Sequence, residues 1–425
     1  MPRPLNQLTA SEAAAQIAAG TLTSERLVEA CLERIAARDK TVQAWIHVDP
    51  DKALAEARQR DSQSAKGPLH GVPIGIKDII DTADLPTCYG SPIYAGHRPV
   101  ADAACVALAR AAGAVILGKT VTTEFATYTP GKTVNPHNSA HTPGGSSSGS
   151  AAAVADSMVP LAFGTQTAAS VIRPASFCGT VAYKSTCGEF ALQGVKMLGQ
   201  SLDSLGVFAR SVADCQLVRA ALVDAKPTPG AQRRPPRIGL FRTPQWDDAD
   251  VDSQRAVESA VAELGKAGAT VDEVPIREPF DKLVDLHNQV LCFEVARALA
   301  YEYENHRDRM SERLISIVTA GRAVTYESYS QALLQRNRCR QMLTDLFISY
   351  DALLAPSAPG EAPKGLESTG NPLFGRIWSL LQAPSVNLPG HTGRNKLPVG
   401  VQVIGAFGQD DRLIAVAQWM EKRIA

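Results

Sequence analysis

The sequence predicts an α/β fold, because short apolar runs alternate with amphipathic stretches along much of its 425 residues. Residues 72–76 and 114–117 are apolar runs of strand length, and residues 102–112 between them have a helical pattern that ends at Gly113. The hydrophobic fraction of 45% is sufficient for a large core. We therefore expect strands and helices that pack in layers.

The elements outside this stretch follow the same alternation. Ser24 is expected to cap an amphipathic helix in which apolar residues recur at helical spacing through Ile35. Beyond Pro235 we expect, in chain order, a strand at 237–241, a helix at 251–268, a strand at 269–276, a long helix around Cys339, a strand at 399–404 and a helix at about 411–423. The Pro/Gly-rich stretch at 226–236 is either a linker or a surface loop.

The charged residues are balanced, with 43 Lys and Arg against 43 Asp and Glu. A protein that grips nucleic acid over a wide surface needs an excess of positive charge, so we expect no nucleic-acid partner, although local patches remain possible. The sequence contains no apolar run of about 18 residues and no apolar signal-peptide core. These absences predict a cytoplasmic protein without a membrane partner.

The cysteines and histidines do not form a recognisable metal site. The eight cysteines are spread along the chain without a CxxC pair, which predicts reduced thiols. His137 and His141 are four residues apart, but Pro143 and the surrounding loop composition deny them a shared helix face. We interpret them as loop-ordering or substrate-rim residues and expect no metal and no cofactor.

One segment, GAVILGKT at 113–120, matches the phosphate-binding pattern GxxxxGK[ST]. A phosphate-binding loop needs a strand before its first glycine and a helix after its last residue. Here the four residues between the glycines are apolar and mostly branched, so they are themselves expected to form the strand. We therefore predict that the segment does not bind a nucleotide.

Three other segments contain residue types that are typical of nucleophilic catalysis. Lys77 follows an apolar strand, and it is either a lysine that reaches solvent or a buried, neutral amine able to act as a general base. Residues 144–150 are all glycine or serine, which fits a flexible linker, but the Ala-rich helical stretch that follows favours a shaped loop. Ser170 lies in a turn of small residues, where N–H groups can approach an oxyanion.

The order and spacing of these segments resemble the amidase signature family, which consists of serine hydrolases with a Ser–cisSer–Lys triad, and most closely its malonamidase-like branch. The resemblance covers nearly the whole chain. It is carried by GVPIGIKDIIDT (71–82), GAVILGKT (113–120), NPHNSAHTPGGSSSGSAAAVA (135–155), GTQTAASVIRPASFCG (164–179), SLDSLGVFARSVAD (201–214) and LPVGVQVIG (397–405).

The resemblance implies a single large α/β/α sandwich domain over residues 1–425, built around a mixed, mostly parallel sheet. Within it, a signature core would span about 70–215 and a second α/β portion about 236–425. The implied reaction cleaves the C–N bond of a small carboxylic amide, giving a carboxylate and ammonia. It needs no cofactor, and a homodimer is the assembly to consider.

The resemblance also assigns roles to individual residues. Lys77 corresponds to the general base, Ser146 to the bridging serine that follows a cis peptide bond, and Ser170 to the nucleophile that forms the acyl-enzyme. Ser170 lies 24 positions after Ser146, as in the family. The oxyanion hole corresponds to the N–H groups of Thr167, Ala168, Ala169 and Ser170.

The chain departs from the family pattern at three places. Ala168 and Ala169 replace the usual Gly-Gly, so a positive φ at either position would be strained, and the methyl groups would narrow the acyl pocket. Gln166 replaces the commoner Asp, as in the malonamidase-like branch, and is a candidate substrate-binding residue. The segment 184–186 replaces the usual Lys-Pro, which leaves the course of the following loop open.

Arg173, three residues after Ser170, has two interpretations. It is either a structural arginine that ties loops together, or a substrate-binding residue whose planar guanidinium anchors the carboxylate of a short acidic amide such as malonamate.

Two further hypotheses remain. The chain could be the amidase subunit of a tRNA-dependent amidotransferase, although its balanced charge and its GTQT and SVIRP segments argue against this. It could also be a catalytically impaired homologue, as the two alanines suggest, although all three triad residues are present.

Overall fold

The apolar runs of the sequence pair side by side into one mixed sheet. The computed structural model describes residues 3–225, 234–275 and 278–424, and within these ranges the sheet has 11 strands. The strands are β1 (Trp45–Val48), β2 (Pro73–Lys77), β3 (Val115–Thr120), β4 (Leu161–Gln166), β5 (Val181–Lys184), β6 (Ser204–Ala209), β7 (Arg237–Leu240), β8 (Thr270–Glu273), β9 (Ala352–Pro356), β10 (Ser385–Thr392) and β11 (Pro398–Ile404). Their order across the sheet is β1-β3-β2-β4-β6-β5-β10-β11-β9-β7-β8.

Helices cover both faces of this sheet. They are α1 (Ala10–Ala18), α2 (Ser24–Val42), α3 (Pro50–Asp61), α4 (Ala104–Ala111), α5 (Ser148–Ala155), α6 (Ile172–Cys178), α7 (Val212–Val223), α8 (Val251–Lys266), α9 (Leu283–Ala298), α10 (Ala300–Asn305), α11 (Glu312–Ala323), α12 (Tyr326–Leu346), α13 (Leu373–Leu380) and α14 (Asp410–Ile424). Short 3-10 helices lie at Leu5–Gln7, Pro92–Tyr94, Glu124–Ala126, Trp246–Asp248, Phe280–Lys282 and Arg307–Arg309. Among the described residues, no helix combines the length and the apolar character needed to cross a membrane.

The two faces of the sheet bury different apolar clusters. Along β4, Leu161 and Phe163 belong to one cluster and Ala162 to the other, because successive side chains of a strand point to opposite faces. Helix α7 packs into the first cluster and helix α5 into the second. The predicted layered α/β architecture is therefore confirmed.

The sheet is mixed, as predicted, but its parallel pairs are fewer than expected. β2 pairs in parallel with β3 and β4, and β7 with β8 and β9. The other six pairs within the described ranges are antiparallel. Residues 393–397, for example, turn the chain directly from β10 into β11, and a direct turn forces adjacent strands to run antiparallel.

Strands from both predicted portions of the chain lie in the same sheet. β5 of the signature core pairs with β10 of the second portion, with Tyr183 opposite Val386. This continuity favours the single-domain prediction. Of the stretch considered as a linker, residues 226–233 lie outside the described residues, as does residue 276 of the strand expected at 269–276.

Most predicted elements are present, with ends shifted by a few residues, but the expected cap of the first long helix is wrong. Thr23, not Ser24, is the N-cap of α2, because its side chain accepts a hydrogen bond from Arg26 N. The Ser24 hydroxyl instead donates to Gly71 O at 2.8 Å, which fastens the start of α2 near β2.

The segment that matches a phosphate-binding loop forms β3, as expected. Lys119 lies inside this strand and is completely buried. Its Nζ donates to Ile80 O (2.7 Å) and Thr87 Oγ1 (2.5 Å) and lies 3.4 Å from Asp78 Oδ1. The lysine therefore ties β3 to the loop after β2 and does not face a helix N-terminus.

The parallel pair β2 and β4 determines where the candidate site forms. Because the two strands run in the same direction with Ile76 opposite Phe163, their carboxyl ends meet at one edge of the sheet. Lys77 ends β2 and Gln166 ends β4. Helices α5 and α6 begin just beyond this edge, so the loops that precede them carry the candidate residues.

Candidate active site

Lys77 is completely buried at the end of β2. Its Nζ lies 2.8 Å from Ser146 Oγ and 2.8 Å from Thr165 Oγ1, with Thr165 O at 3.4 Å. Burial lowers the pKa of the Lys77 amine to about 7, because the charged form loses its hydration, and the negative charge of Asp203 partly opposes this shift. Near neutral pH, a large fraction of this amine is therefore uncharged.

The Gly/Ser-rich segment is a buried, ordered loop and not a linker. The peptide bond between Gly145 and Ser146 is cis, as the resemblance implies. The hydroxyl of Ser148 donates to Val121 O (3.3 Å), and that of Ser150 donates to Phe163 O (2.8 Å). These bonds attach the loop and the first turn of α5 to the neighbouring strands, and they fix the position of Ser146.

The turn from β4 into α6 is held by side chains from distant helices. The carbonyl oxygen of Thr167 bonds with His287 Nε2 of α9 at 3.0 Å. The carbonyl oxygen of Ala168 accepts a hydrogen bond from Ser379 Oγ of α13 at 2.8 Å. Both side chains are buried. The orientation of this turn therefore depends on residues more than a hundred positions away in the sequence.

The next two carbonyl groups of the turn are also bonded. Ala169 O accepts from Arg173 N (3.0 Å), and Ser170 O accepts from Ser147 N (3.4 Å), which places Ser170 beside the loop that carries Ser146. The backbone N–H groups of residues 167–170, in contrast, have no acceptor among the described residues. Unpaired backbone donors of this kind are the groups that can stabilise an oxyanion.

Ser170 is 8% exposed and lines a narrow pocket. Its other walls are largely apolar and come from the segment after β3 and from α9 and α11, including Ala126, Tyr128, Leu291, Val295 and Ile317. A small molecule bound there would contact the Ser170 side chain and the turn at the same time.

The two alanines before Ser170 do not strain the backbone, because neither has a positive φ. Ala169 fits because residue 375 is a glycine: a Cβ atom at Gly375 would lie 2.6 Å from the Cβ of Ala169. Ala168 lines the pocket, so its methyl group takes up space there. The expectation that an added methyl narrows the pocket thus applies to Ala168.

Gln166 is almost completely buried, and its side-chain amide is used within the protein. Its Oε1 accepts hydrogen bonds from Val171 N (2.9 Å) and Ile172 N (3.0 Å). Its Nε2 donates to Ser379 Oγ at 3.0 Å. The side chain therefore organises the start of α6 and lies outside the lining of the pocket.

Arg173 lines the pocket and is only 3% exposed. Its guanidinium donates to Gly370 O (2.7 Å), Gly145 O (2.6 Å) and Thr369 Oγ1 (3.0 Å). No carboxylate pairs with it in the described ranges, and burial lowers the pKa of Arg173 to about 10. The residue ties three loops together and also leaves an uncompensated positive charge at the pocket.

His137 and His141 bond to backbone carbonyl groups, at 2.9 Å to Cys178 O and 2.8 Å to Ala362 O, which agrees with a loop-ordering role. Across residues 3–225, 234–275 and 278–424, no group of three or more His, Cys, Asp or Glu side chains could hold a metal ion.

The segment 184–186 is ordered by Asp410, which accepts hydrogen bonds from the N–H and hydroxyl groups of Thr186.

The family model described as Amidase matches residues 26–414. The chain belongs to this family. Among curated proteins, a subunit of the glutamyl-tRNA(Gln) amidotransferase of Agathobacter rectalis is 31% identical over 476 aligned positions, which cover 98% of this chain and 94% of that protein. The corresponding subunit from Acidothermus cellulolyticus is 34% identical, with 97% and 94% covered.

The fold agrees with solved structures of the family. A crystal structure of an amidase superposes with a TM-score of 0.90 and 28% identity, covering 98% of this chain and all of the other. A chain of a vestigial complex related to the origins of an s-triazine catabolic enzyme gives 0.89 and 27%, with 98% and 99% covered. As an amidase, the protein is an enzyme that hydrolyses linear amide C–N bonds.

Sequence reasoning about this amidase missed four residues that shape the site. Thr165 and Asp203 belong to segments that carry the family resemblance, and that membership was a usable signal. Asp203 accepts a hydrogen bond from Thr167 Oγ1 at 2.6 Å, and burial raises its pKa to about 6. His287 and Ser379 lie in helices, where no sequence pattern distinguishes them from other polar residues.

The lowered pKa of Lys77 predicts the pH dependence of the amidase. Because only the neutral amine can accept a proton, kcat/KM should rise about tenfold per pH unit below pH 7 and level off above it. The measurement is a pH profile of ammonia release from a small amide at low substrate concentration.

Lys184 provides the matched control, since it is also completely buried and its pKa is lowered by burial to about 8. Its Nζ bonds to Ser185 O at 2.7 Å and does not contact Ser146. Lys184→Met should leave the acidic limb near pH 7. A shift of the acidic limb of the kcat/KM profile in Lys184→Met, or a wild-type profile that is flat between pH 6 and 8, would contradict the assignment of the titrating group to Lys77.

Proposed function

We propose that this amidase hydrolyses a small carboxylic amide to a carboxylate and ammonia through an acyl-enzyme on Ser170. The observation that carries the proposal is the buried amine of Lys77, 2.8 Å from Ser146 Oγ, beside a turn with free N–H groups. This arrangement supplies a base, a proton relay and an anion-binding turn in one place.

In the first half of the reaction, neutral Lys77 takes the proton of Ser146 while Ser146 takes the proton of Ser170. Ser170 Oγ forms a bond to the amide carbon, and the carbonyl electron pair moves onto oxygen. The tetrahedral intermediate then collapses: the C–N bond breaks, and the nitrogen leaves as ammonia with the proton returned through Ser146. Water attacks the acyl-enzyme by the same route, which releases the carboxylate and restores Ser170.

The four N–H groups at residues 167–170 stabilise the oxyanion in both halves of this sequence. The carbonyl groups of Thr167, Ala168 and Ala169 are already bonded, so the N–H groups of residues 168–170 need no reorganisation when charge develops on the substrate oxygen. Loss of one such donor costs roughly 10²–10³ in kcat in serine hydrolases.

The substrate class that we propose is a short amide that carries a carboxylate, as the malonamidase-like pattern suggests. Arg173 is the charged residue that lines the described pocket, and no acidic side chain within residues 3–225, 234–275 and 278–424 pairs with it. Three of its five N–H groups are used in internal hydrogen bonds, and the buried Nε–H has no partner among the described residues. The Ala168 methyl group favours a short acyl chain. Gln166 contributes by shaping the turn.

Covalent labelling tests the proposed triad. A fluorophosphonate should label Ser170 in the wild-type protein, because the reagent requires an activated serine, and the adduct is located by peptide mass spectrometry. Lys77→Ala should abolish labelling. Ser385→Ala is the control: this serine is buried, and its hydroxyl has no hydrogen-bond partner among the described residues, so labelling should persist. Labelling of another serine, or full labelling of Lys77→Ala, would exclude the triad.

The proposed carboxylate anchor predicts a selective effect of Arg173→Ala. Since hydrogen bonds to charged groups contribute about 1.5–3 kcal/mol, KM for malonamate should increase about 10- to 100-fold more than KM for neutral propionamide. Steady-state kinetics on both amides measure this difference. A purely structural arginine would impair both substrates equally, and that result would eliminate the anchor.

A second candidate is the amidase subunit of an amidotransferase, which the curated relatives at 31% and 34% identity favour. Under our first proposal, the isolated chain should release ammonia from a small amide and should purify from its native host without a stoichiometric partner. An approximately 1:1 complex in a pull-down, combined with amide hydrolysis only in that complex, would instead support the amidotransferase function.

A further inference from the structure

The direction of the free N–H groups at the turn is set by what bonds to the carbonyl groups. In a trans peptide unit, the C=O of one residue and the N–H of the next point to opposite sides. The peptide units from residue 167 to residue 170 are trans. A hydrogen bond to Thr167 O therefore aims the N–H of Ala168, and a bond to Ala168 O aims the N–H of Ala169.

Two buried side chains make these bonds. His287 Nε2 lies 3.0 Å from Thr167 O, and Ser379 Oγ lies 2.8 Å from Ala168 O. Neither residue lies in a segment that carries the family resemblance, and neither lines the pocket. Because they bond the carbonyl oxygens of the turn and lie outside the pocket lining, they can affect catalysis without contacting a substrate.

The state of His287 agrees with this function. Burial and the positive charge of Arg376 lower the pKa of His287 to about 3, so the ring is neutral and carries one proton. That proton must sit on Nε2, since Thr167 O can only accept a hydrogen bond. The buried Nδ1 then has no partner among the described residues. The ring therefore satisfies Thr167 O while its own second nitrogen stays unpaired.

The hydroxyl of Ser379 is directed by Gln166. The amide Nε2 donates to Ser379 Oγ at 3.0 Å, which leaves the single hydroxyl proton for Ala168 O. The commoner Asp at position 166 has no proton to donate at neutral pH and would attract the hydroxyl proton to itself. Gln166 and Ser379 therefore form a matched pair that fixes Ala168 O.

We propose that His287 and Ser379 are positioning residues that aim the N–H groups of Ala168 and Ala169 at the oxyanion of the tetrahedral intermediate. This inference rests on the proposed acyl-enzyme mechanism at Ser170. It extends the functional unit of the site to α9 and α13, which lie outside the signature core.

The test compares variants that keep or remove the donor at constant size. His287→Leu removes the donor to Thr167 O, whereas a glutamine at this position can place its amide N–H near the location of Nε2. We expect His287→Leu to lower kcat on propionamide about 10- to 100-fold with KM changed by less than twofold, and His287→Gln to recover most of the loss. Ser379→Ala should resemble His287→Leu, and Ser385→Ala should match the wild type.

A tetrahedral adduct separates positioning from general loss of structure. Phenylboronic acid, which forms such an adduct with an activated serine, should bind His287→Leu and Ser379→Ala more weakly in proportion to their loss of kcat. Gln166→Glu should lower kcat in the wild-type background but by less than twofold in the Ser379→Ala background, because the carboxylate then has no hydroxyl proton to divert. Thermal melting of each variant establishes that it is folded.

The possible outcomes are distinct. Folded His287→Leu and Ser379→Ala variants with kcat within twofold of the wild type would overturn the positioning function, as would His287→Gln that is folded but not rescued. If His287→Leu does not fold, Ser379→Ala and the Gln166→Glu pair decide the question alone. A wild-type protein that neither hydrolyses propionamide nor binds phenylboronic acid at Ser170 would overturn the proposed mechanism and the positioning function together.

Discussion

The burial of the Lys77 amine against the Ser146 hydroxyl is the interaction on which the site depends. An amine in water keeps its proton near neutral pH, and only the loss of hydration brings its pKa down to about 7. That loss requires the end of β2, the loop before α5 and the strand β4 to close around one side chain. The parallel pairing of β2 with β4 and the hydroxyl-to-backbone bonds of the Gly/Ser loop both contribute to this closure.

The turn before α6 is unusual in a different way, because several of its backbone N–H groups are unpaired inside the protein. Unpaired buried donors are costly, by about 1–3 kcal/mol each, unless a ligand satisfies them. Here the carbonyl ends of three of these peptide units are bonded, to His287, Ser379 and Arg173 N, which opposes a rotation of the turn that would bury its donors. The turn therefore keeps unpaired N–H donors at the position where the substrate oxygen would lie.

The family resemblance, carried by the order and spacing of motifs, singled out Lys77, Ser146 and Ser170 from the sequence, whereas the composition of each segment alone left alternatives open. The layered architecture was predictable from the alternation of apolar runs. The side chains behind the turn were not, since a single histidine or serine in a helix carries no period or spacing that reveals its partner. The contacts of Arg173 could not be predicted from sequence either. An arginine can bind a carboxylate or a carbonyl oxygen, and only the fold shows that Gly145 O and Gly370 O lie beside it.

The pairing of β5 with β10 has a consequence for the order in which the protein is completed during synthesis. A nascent chain that has emerged as far as α7 already contains Lys77, Ser146 and Ser170, but the partners of the Thr167 and Ala168 carbonyl groups are still untranslated. Both α9 and α13 precede β10 in the chain, so they are available by the time β10 joins the sheet beside β5. Synthesis therefore supplies Lys77, Ser146 and Ser170 first and the side chains that bond the turn afterwards, so the turn reaches its final orientation only in a nearly finished molecule.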